Sequence, residues 1–246
     1  MDTYGLIGFP LGHSFSASYF TQKFTDLQLQ ATYKNFEIPS IEQLPHILAT
    51  TPHLRGLNVT IPYKEAIIPY LNELSEEART IGAVNVVKIT WQNRQPYLKG
   101  YNADIIGFKQ SISPLLQSHH CNALILGTGG ASKAVLHGLH QLGIHTQYVS
   151  RTPKPDCITY EEITPSLLQS FTVLVNCTPV GMFPHSDEAP ALPYHALSDK
   201  HLLYDLIYNP LETSFMKQGA ARGATTKNGL EMLHLQAEAS WNFWNE

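Results

Sequence analysis

Ala123-Leu124-Ile125-Leu126-Gly127-Thr128-Gly129-Gly130-Ala131-Ser132 is the stretch that decides the fold of this 246-residue chain. Four apolar residues without a polar interruption read as a strand buried on both faces, the usual state of a parallel strand. The glycines mark a tight turn, and helical spacing follows to about Leu142. Strand, glycine turn and helix together form a phosphate-binding unit. Gly127 permits the turn, Gly129 lets backbone approach a pyrophosphate, and the N–H groups at a helix start favour an anion. Thr128, Gly130 and Ala131 complete the cradle. Ser132 stands where the generic fingerprint has a third glycine, so a plain strand–helix connection is the competing reading.

Further strands are read downstream at 146–150, 173–177 and 202–207, separated by proline-rich connections. The first ends in Val149-Ser150-Arg151-Thr152. An NAD site holds a carboxylate there for the ribose 2′-hydroxyl, and none is present. Ser150, Arg151 and Thr152, with Lys154 beyond, offer donors for a 2′-phosphate instead, which favours NADP over NAD. A solvated surface arginine is the alternative.

Upstream, residues 4–9, 31–38, 56–61 and 83–91 read as strands. Ser16 is placed to cap a helix carrying Tyr19, Phe20, Phe24 and Leu27, and Ser40 to Gln43 has capping-box spacing. Pro62 suits a first helical turn. The spacing predicts a helix over 105–116 and a last amphipathic helix over 229–244, with Leu233, Ala237, Trp241 and Trp244 near one stripe. The expected fold is α/β in two domains with a cleft between them. Residues 1–102 form one α/β domain with a largely parallel sheet. Residues 103–228 form a Rossmann-type, doubly wound dinucleotide-binding domain.

A net charge of -4 argues against a nucleic-acid partner, and no apolar run reaches membrane-spanning length. The N-terminus carries no signal-peptide pattern, and three cysteines without paired spacing suit the cytoplasm. His119-His120-Cys121 invites a metal reading, but adjacent side chains do not converge easily on one ion, so no metal is expected.

Two segments carry candidate catalytic groups: Asn58-Val59-Thr60-Ile61-Pro62-Tyr63-Lys64 and Gly100-Tyr101-Asn102-Ala103-Asp104-Ile105-Ile106-Gly107-Phe108. A lysine inside one helix start and a carboxylate at another are the parts of a proton-transfer pair. Bland readings exist for each: a solvated lysine, a capping aspartate at 104, a satisfied buried amide at Asn85. Five further motifs occur in order, beginning with Gly8-Phe9-Pro10-Leu11-Gly12-His13-Ser14-Phe15-Ser16 and Ala83-Val84-Asn85. Then come Asn176-Cys177-Thr178-Pro179-Val180-Gly181-Met182, Asp205-Leu206-Ile207-Tyr208-Asn209-Pro210, and Asn228-Gly229 running to Met232-Leu233 and Gln236. Together they resemble the shikimate dehydrogenase family over nearly the whole chain. Two departures stand out: Ala17 follows Ser16 where the family has proline, and Ala103 replaces a threonine.

The resemblance implies Lys64 and Asp104 as the catalytic pair. It gives the substrate carboxylate to Ser14 and Ser16, and substrate hydroxyls to Thr60, Asn85 and Gln236, with Tyr208 near the substrate. It places Thr178 and Gly229 beside the nicotinamide, and it makes residues 1–102 the substrate domain, completed by the helix at 229–246. The expected reaction is reversible reduction of 3-dehydroshikimate with NADPH, by a monomer or homodimer whose partner is a small molecule. The alternatives are a relaxed quinate/shikimate enzyme using NAD or NADP, a folate-type dehydrogenase on a similar scaffold, and a shikimate-binding homologue without activity.

Overall fold

The structure, a computed structural model, describes residues 1–12 and 14–246; His13 of the opening motif lies outside the described residues. The chain divides into two compact units, Met1–Ala103 with Ala237–Glu246, and Asp104–Gln236.

The first unit runs β1 (Asp2–Gly8), α1 (Phe15–Asp26), β2 (Ala31–Glu37), α2 (Leu44–Thr50), β3 (Leu54–Val59), α3 (Tyr63–Ala66), β4 (Glu73–Leu74), α4 (Glu76–Ile81), β5 (Val86–Gln92) and β6 (Gln95–Tyr101). Its sheet has the order β2-β1-β3-β5-β6-β4. β1 lies parallel to β2 and β3, whereas β5 is antiparallel to both β3 and β6. The largely parallel sheet expected from sequence is therefore mixed. Asn93 and Arg94 make the turn between β5 and β6, both with positive φ (50° and 66°), as a type I′ two-residue hairpin requires.

Two helix starts also differ from expectation. Ser14, not Ser16, is the N-cap of α1: its backbone is extended and its hydroxyl accepts the Ala17 N–H at 3.2 Å. Ser16 already lies inside the helix. Ser40 makes no side-chain cap bond to the 3-10 turn over Ile41–Gln43. The proper helix begins afterwards at Leu44, with Pro45 in its first turn where a missing N–H costs nothing.

One face of this sheet is aliphatic, with Ile7, Leu44, Leu57, Ile67 and Val87 at its centre. Against Tyr4 and Tyr33 packs an aromatic cluster from α1 and the C-terminal residues. Phe20 stacks on Tyr33 at 5.1 Å between ring centroids, and Trp244 lies 4.9 Å from both Phe20 and Tyr4. The Trp244 indole N–H donates to the Val87 carbonyl at 3.1 Å. Beside it runs a buried polar chain: Tyr33 donates to Asn58 Oδ1 (2.8 Å), and Asn58 Nδ2 donates to Ser240 (2.9 Å). Burial pushes the Tyr33 phenol well above its ordinary pKa, so it stays a neutral donor.

The second unit comprises α5 (Asp104–Ile112), β7 (Asn122–Leu126), α6 (Gly130–Gln141), β8 (His145–Ser150), β9 (Cys157–Thr159), α7 (Pro165–Ser170), β10 (Val173–Asn176), β11 (Leu202–Asp205), α8 (Ser214–Ala220), β12 (Thr225–Lys227) and the first turns of α9 (Leu230–Asn245). α5 stops short of the expected Leu116 and tightens into a 3-10 turn around Pro114. The sheet order is β12-β11-β10-β7-β8-β9, parallel throughout. Alternate residues of the central strands feed two cores. Ala123, Ile125, Val173 and Val175 meet α5 and α6 residues such as Phe108 and Val135. Leu124, Leu126 and Leu174 meet Leu168 and Phe215 from α7 and α8. This is a doubly wound sheet whose order reverses between β7 and β10, the point where such sheets open a ligand crevice.

Trp244 is the test of the aromatic cluster. Trp244→Ala is expected to cost about 3–5 kcal/mol of stability, the usual loss for a buried tryptophan. Urea unfolding of the two proteins measures it.

Candidate active site

In the first unit the predicted site residues gather at one edge of the sheet. Parallel β1 and β3 end there, and antiparallel β5 begins there. Ser14, the cap of α1, and Ser16 in its first turn come after β1, Thr60 and Lys64 follow β3, and Asn85 precedes β5. Backbone bonds tie these segments together. Thr60 N–H donates to Ile7 O at 2.9 Å, Val59 N–H to Asn85 O at 2.9 Å, and Val84 N–H to Lys64 O at 2.7 Å. The short helix α3 is held further by the Tyr63 hydroxyl, 2.5 Å from Ile38 O. Lys64 therefore projects, half-buried, from a turn fixed on both sides.

Asn85 is buried (3% exposed), and its Oδ1 accepts the Ala103 N–H at 2.6 Å. Asn102 donates its amide to Ala83 O at 3.0 Å. These bonds set the end of β6 and so the start of α5, where Asp104 is the first residue and only 4% exposed. Ala103 thus contributes its backbone where the family has a threonine hydroxyl. Ser16 is half-buried in the first turn of α1, near the Tyr33 hydroxyl.

The second unit brings the cofactor residues to the carboxyl edge of its own sheet. Gly127 follows β7 with φ of 98°, and a side chain there would strike the Thr178 methyl at 2.8 Å. Gly129 caps α6 with open space around it, so backbone N–H groups of the first turn, from Gly130 and Ala131, are accessible to a phosphate. Arg151 and Thr152 are exposed just after β8, and Lys154 reaches back to donate to Thr128 Oγ1 at 3.0 Å. Lys154 therefore lies beside the glycine turn, and the strand end carries Arg151 and no carboxylate. These features fit a dinucleotide with a 2′-phosphate. Ser150 does something else. It is buried, and its hydroxyl accepts the Thr152 N–H at 3.3 Å, shaping the turn that carries Arg151.

Thr178 is less available than its motif suggests. Its hydroxyl donates to Asn176 Oδ1 (2.7 Å) and accepts from Val180 N–H (3.2 Å), which leaves its methyl facing Gly127. Gly229 is required by backbone, since an added Cβ would meet Leu206 O at 2.1 Å. Tyr208 is 40% exposed on the loop after β11, and Gln236 is half-buried on α9. At the opposite edge, His119 and His120 both turn Nε2 to the Lys200 carbonyl, at 3.0 and 3.2 Å. Among the described residues no three His, Cys, Asp or Glu side chains assemble as a metal site.

Sequence reasoning assigns Asp205 no role beyond its motif. It is wholly buried at the end of β11, and burial pushes its carboxyl up to about 6 despite bonds from Thr213, Ile207 and Asn176. As pH rises from about 4 to about 6 the unfolded chain loses this proton before the folded one does, so stability falls. The loss reaches about 3 kcal/mol above pH 6, at about 1.4 kcal/mol per pKa unit. Asp205→Asn should recover much of that at pH 7.5 and almost none at pH 4, read by denaturant unfolding at the two pH values.

A family model described as the shikimate dehydrogenase substrate binding domain matches residues 6–87. A Methanococcus maripaludis protein named shikimate dehydrogenase (NADP(+)) is 38% identical, over 98% of this chain and 90% of its own. The Thermus thermophilus shikimate 5-dehydrogenase, solved in complex with NADP(H) and shikimate, superposes with a TM-score of 0.85 at 30% identity, covering 99% of this chain and 93% of that one. A quinate dehydrogenase from Corynebacterium glutamicum, solved with NAD, gives a TM-score of 0.87 at 25% identity with the same coverage. With identity at this level along nearly its whole length, the chain belongs to the shikimate dehydrogenase family.

Proposed function

We propose that this protein is an NADP-dependent shikimate dehydrogenase, which reversibly reduces 3-dehydroshikimate to shikimate in the biosynthesis of chorismate and the aromatic amino acids. The observation that carries the reading is the lysine turn, in which Thr60, Lys64 and Asn85 are stitched to one strand edge by backbone bonds. A lysine held this way is pre-positioned for proton transfer. It works in the cytoplasm, as a monomer or homodimer, on a small-molecule substrate.

Bound NADPH supplies the hydride, and NADP accepts it in the reverse direction. Lys64 gives its proton to the substrate oxygen during reduction and takes the hydroxyl proton during oxidation. Asp104 is its carboxylate partner. Ser14 and Ser16 receive the substrate carboxylate, and Thr60, Asn85, Tyr208 and Gln236 its hydroxyls. On the cofactor side, Thr128 to Ala131 hold the pyrophosphate on the α6 N-terminus, and Arg151 with Thr152 and Lys154 holds the 2′-phosphate. Gly229 lies on the nicotinamide side, and Thr178 contributes shape through its methyl group.

Purified protein is expected to form NADPH from shikimate and NADP, with quinate and NAD as poorer alternatives. No turnover with any of the four combinations, from folded protein that still binds shikimate, would make it a binding protein instead. Lys64→Ala should lower kcat by about 10²–10⁴, the usual worth of one proton-transfer group, with KM for shikimate moving less. A change confined to KM would remove the acid–base role. Arg151→Ala should weaken NADP by about 10–100-fold, the worth of charge-assisted hydrogen bonds, while leaving NAD nearly unaffected. Steady-state KM values for the two cofactors decide it.

A further inference from the structure

The Asp205 carboxylate sits at the carboxyl end of β11, where three donors from separate segments converge on it. Oδ1 accepts Asn176 Nδ2 at 3.0 Å and the Ile207 N–H at 3.1 Å; Oδ2 accepts the Thr213 hydroxyl at 2.6 Å. Asp205, Asn176 and Thr213 are all fully buried. An ionised carboxylate can only accept, so it dictates which way round its neighbour must lie. Asn176 has to turn its NH₂ towards Asp205, and its carbonyl oxygen is thereby committed to the other side. There it accepts the Thr178 N–H at 3.0 Å and the Thr178 hydroxyl at 2.7 Å. Asn176 Nδ2 also reaches Val180 O at 3.3 Å, closing the loop on itself. The Thr178 methyl then lies where it leaves room only for a glycine at 127. The second branch pins Ile207 and Thr213, the two flanks of residues 208–212, and so sets the loop that carries Tyr208.

We infer that Asp205 is a positioning residue that orients two functional loops at once: the Thr178 loop against the glycine turn through Asn176, and the Tyr208 loop through Ile207 and Thr213. It touches neither cofactor nor substrate. The inference rests on the NADP and shikimate reading above and assigns that site a shared internal support.

Four variants test it: Asp205→Ala, Asp205→Asn, Asn176→Ala and Thr213→Val. Each is measured for KM towards NADP and shikimate, for kcat, for NADP affinity by calorimetry and for thermal midpoint. Asp205→Ala should raise both KM values about tenfold or more. Asp205→Asn should recover most of that loss, because an amide oxygen still receives Asn176 and Ile207 while its NH₂ donates to the Thr213 hydroxyl. Asn176→Ala should move the NADP constants alone, and Thr213→Val the shikimate KM alone. Near-normal KM values in Asp205→Ala, or an Asn variant no better than the Ala one, overturn the inference. So does a pattern in which Asn176→Ala and Thr213→Val each shift both constants equally, which is what general loosening of the fold would do. If Asp205→Ala does not fold, the two branch variants decide, since each leaves the carboxylate two donors. A chain that binds NADP without turnover removes the proposed reaction but leaves the calorimetric comparison of Asn176→Ala to judge the clamp. A chain that binds no NADP overturns both.

Discussion

Parallel strands cannot be joined by a tight turn, and that constraint decides where the chemistry of this protein can lie. Each crossover must leave a strand at its carboxyl end and return through a helix. The connections after β7, β8, β10 and β11 therefore emerge along one edge of the second sheet. The first unit reaches the same result with a mixed sheet. There antiparallel β5 starts where β3 ends, so Asn85 arrives beside Thr60 from the opposite chain direction. Loops collected at one edge have little packing of their own, and hydrogen bonds have to supply their shape.

Two buried polar groups supply much of it. Tyr33, Asn58 and Ser240 form a chain of hydrogen bonds across β2, β3 and α9, and Asp205 gathers three donors from around the end of β11. Unpaired, each group would cost on the order of 1–3 kcal/mol. Paired, each admits a narrow set of neighbouring geometries, which aliphatic packing alone does not enforce. Both sit one step behind residues assigned to ligands, Ser16 in the first unit and Thr178 in the second.

Much of this was legible in the sequence, for identifiable reasons. The buried strand at 123–126 and the turn at Gly127 are read correctly because a fully apolar run and a positive-φ glycine are local properties. The turn at Asn93-Arg94 is readable from its residues, but the antiparallel run of β5 beside β3 was missed, because the connection between them carries no local signal of its direction. The cap of α1 went to Ser16 instead of Ser14 because two serines two residues apart satisfy the same pattern, and only the backbone angle separates them. The inward commitments of Ser150 and Thr178 were not legible. A hydroxyl looks identical in sequence whether it faces a ligand or its own loop.

The first unit is discontinuous, since residues 237–246 belong with residues 1–103. A ribosome delivers these pieces more than a hundred residues apart. While the second unit is being made, Tyr4, Phe20 and Phe24 await the tryptophans that will cover them. The nascent N-terminal unit thus carries an uncovered aromatic face throughout elongation, a surface suited to transient chaperone contact. Its maturation is timed by the synthesis of α9.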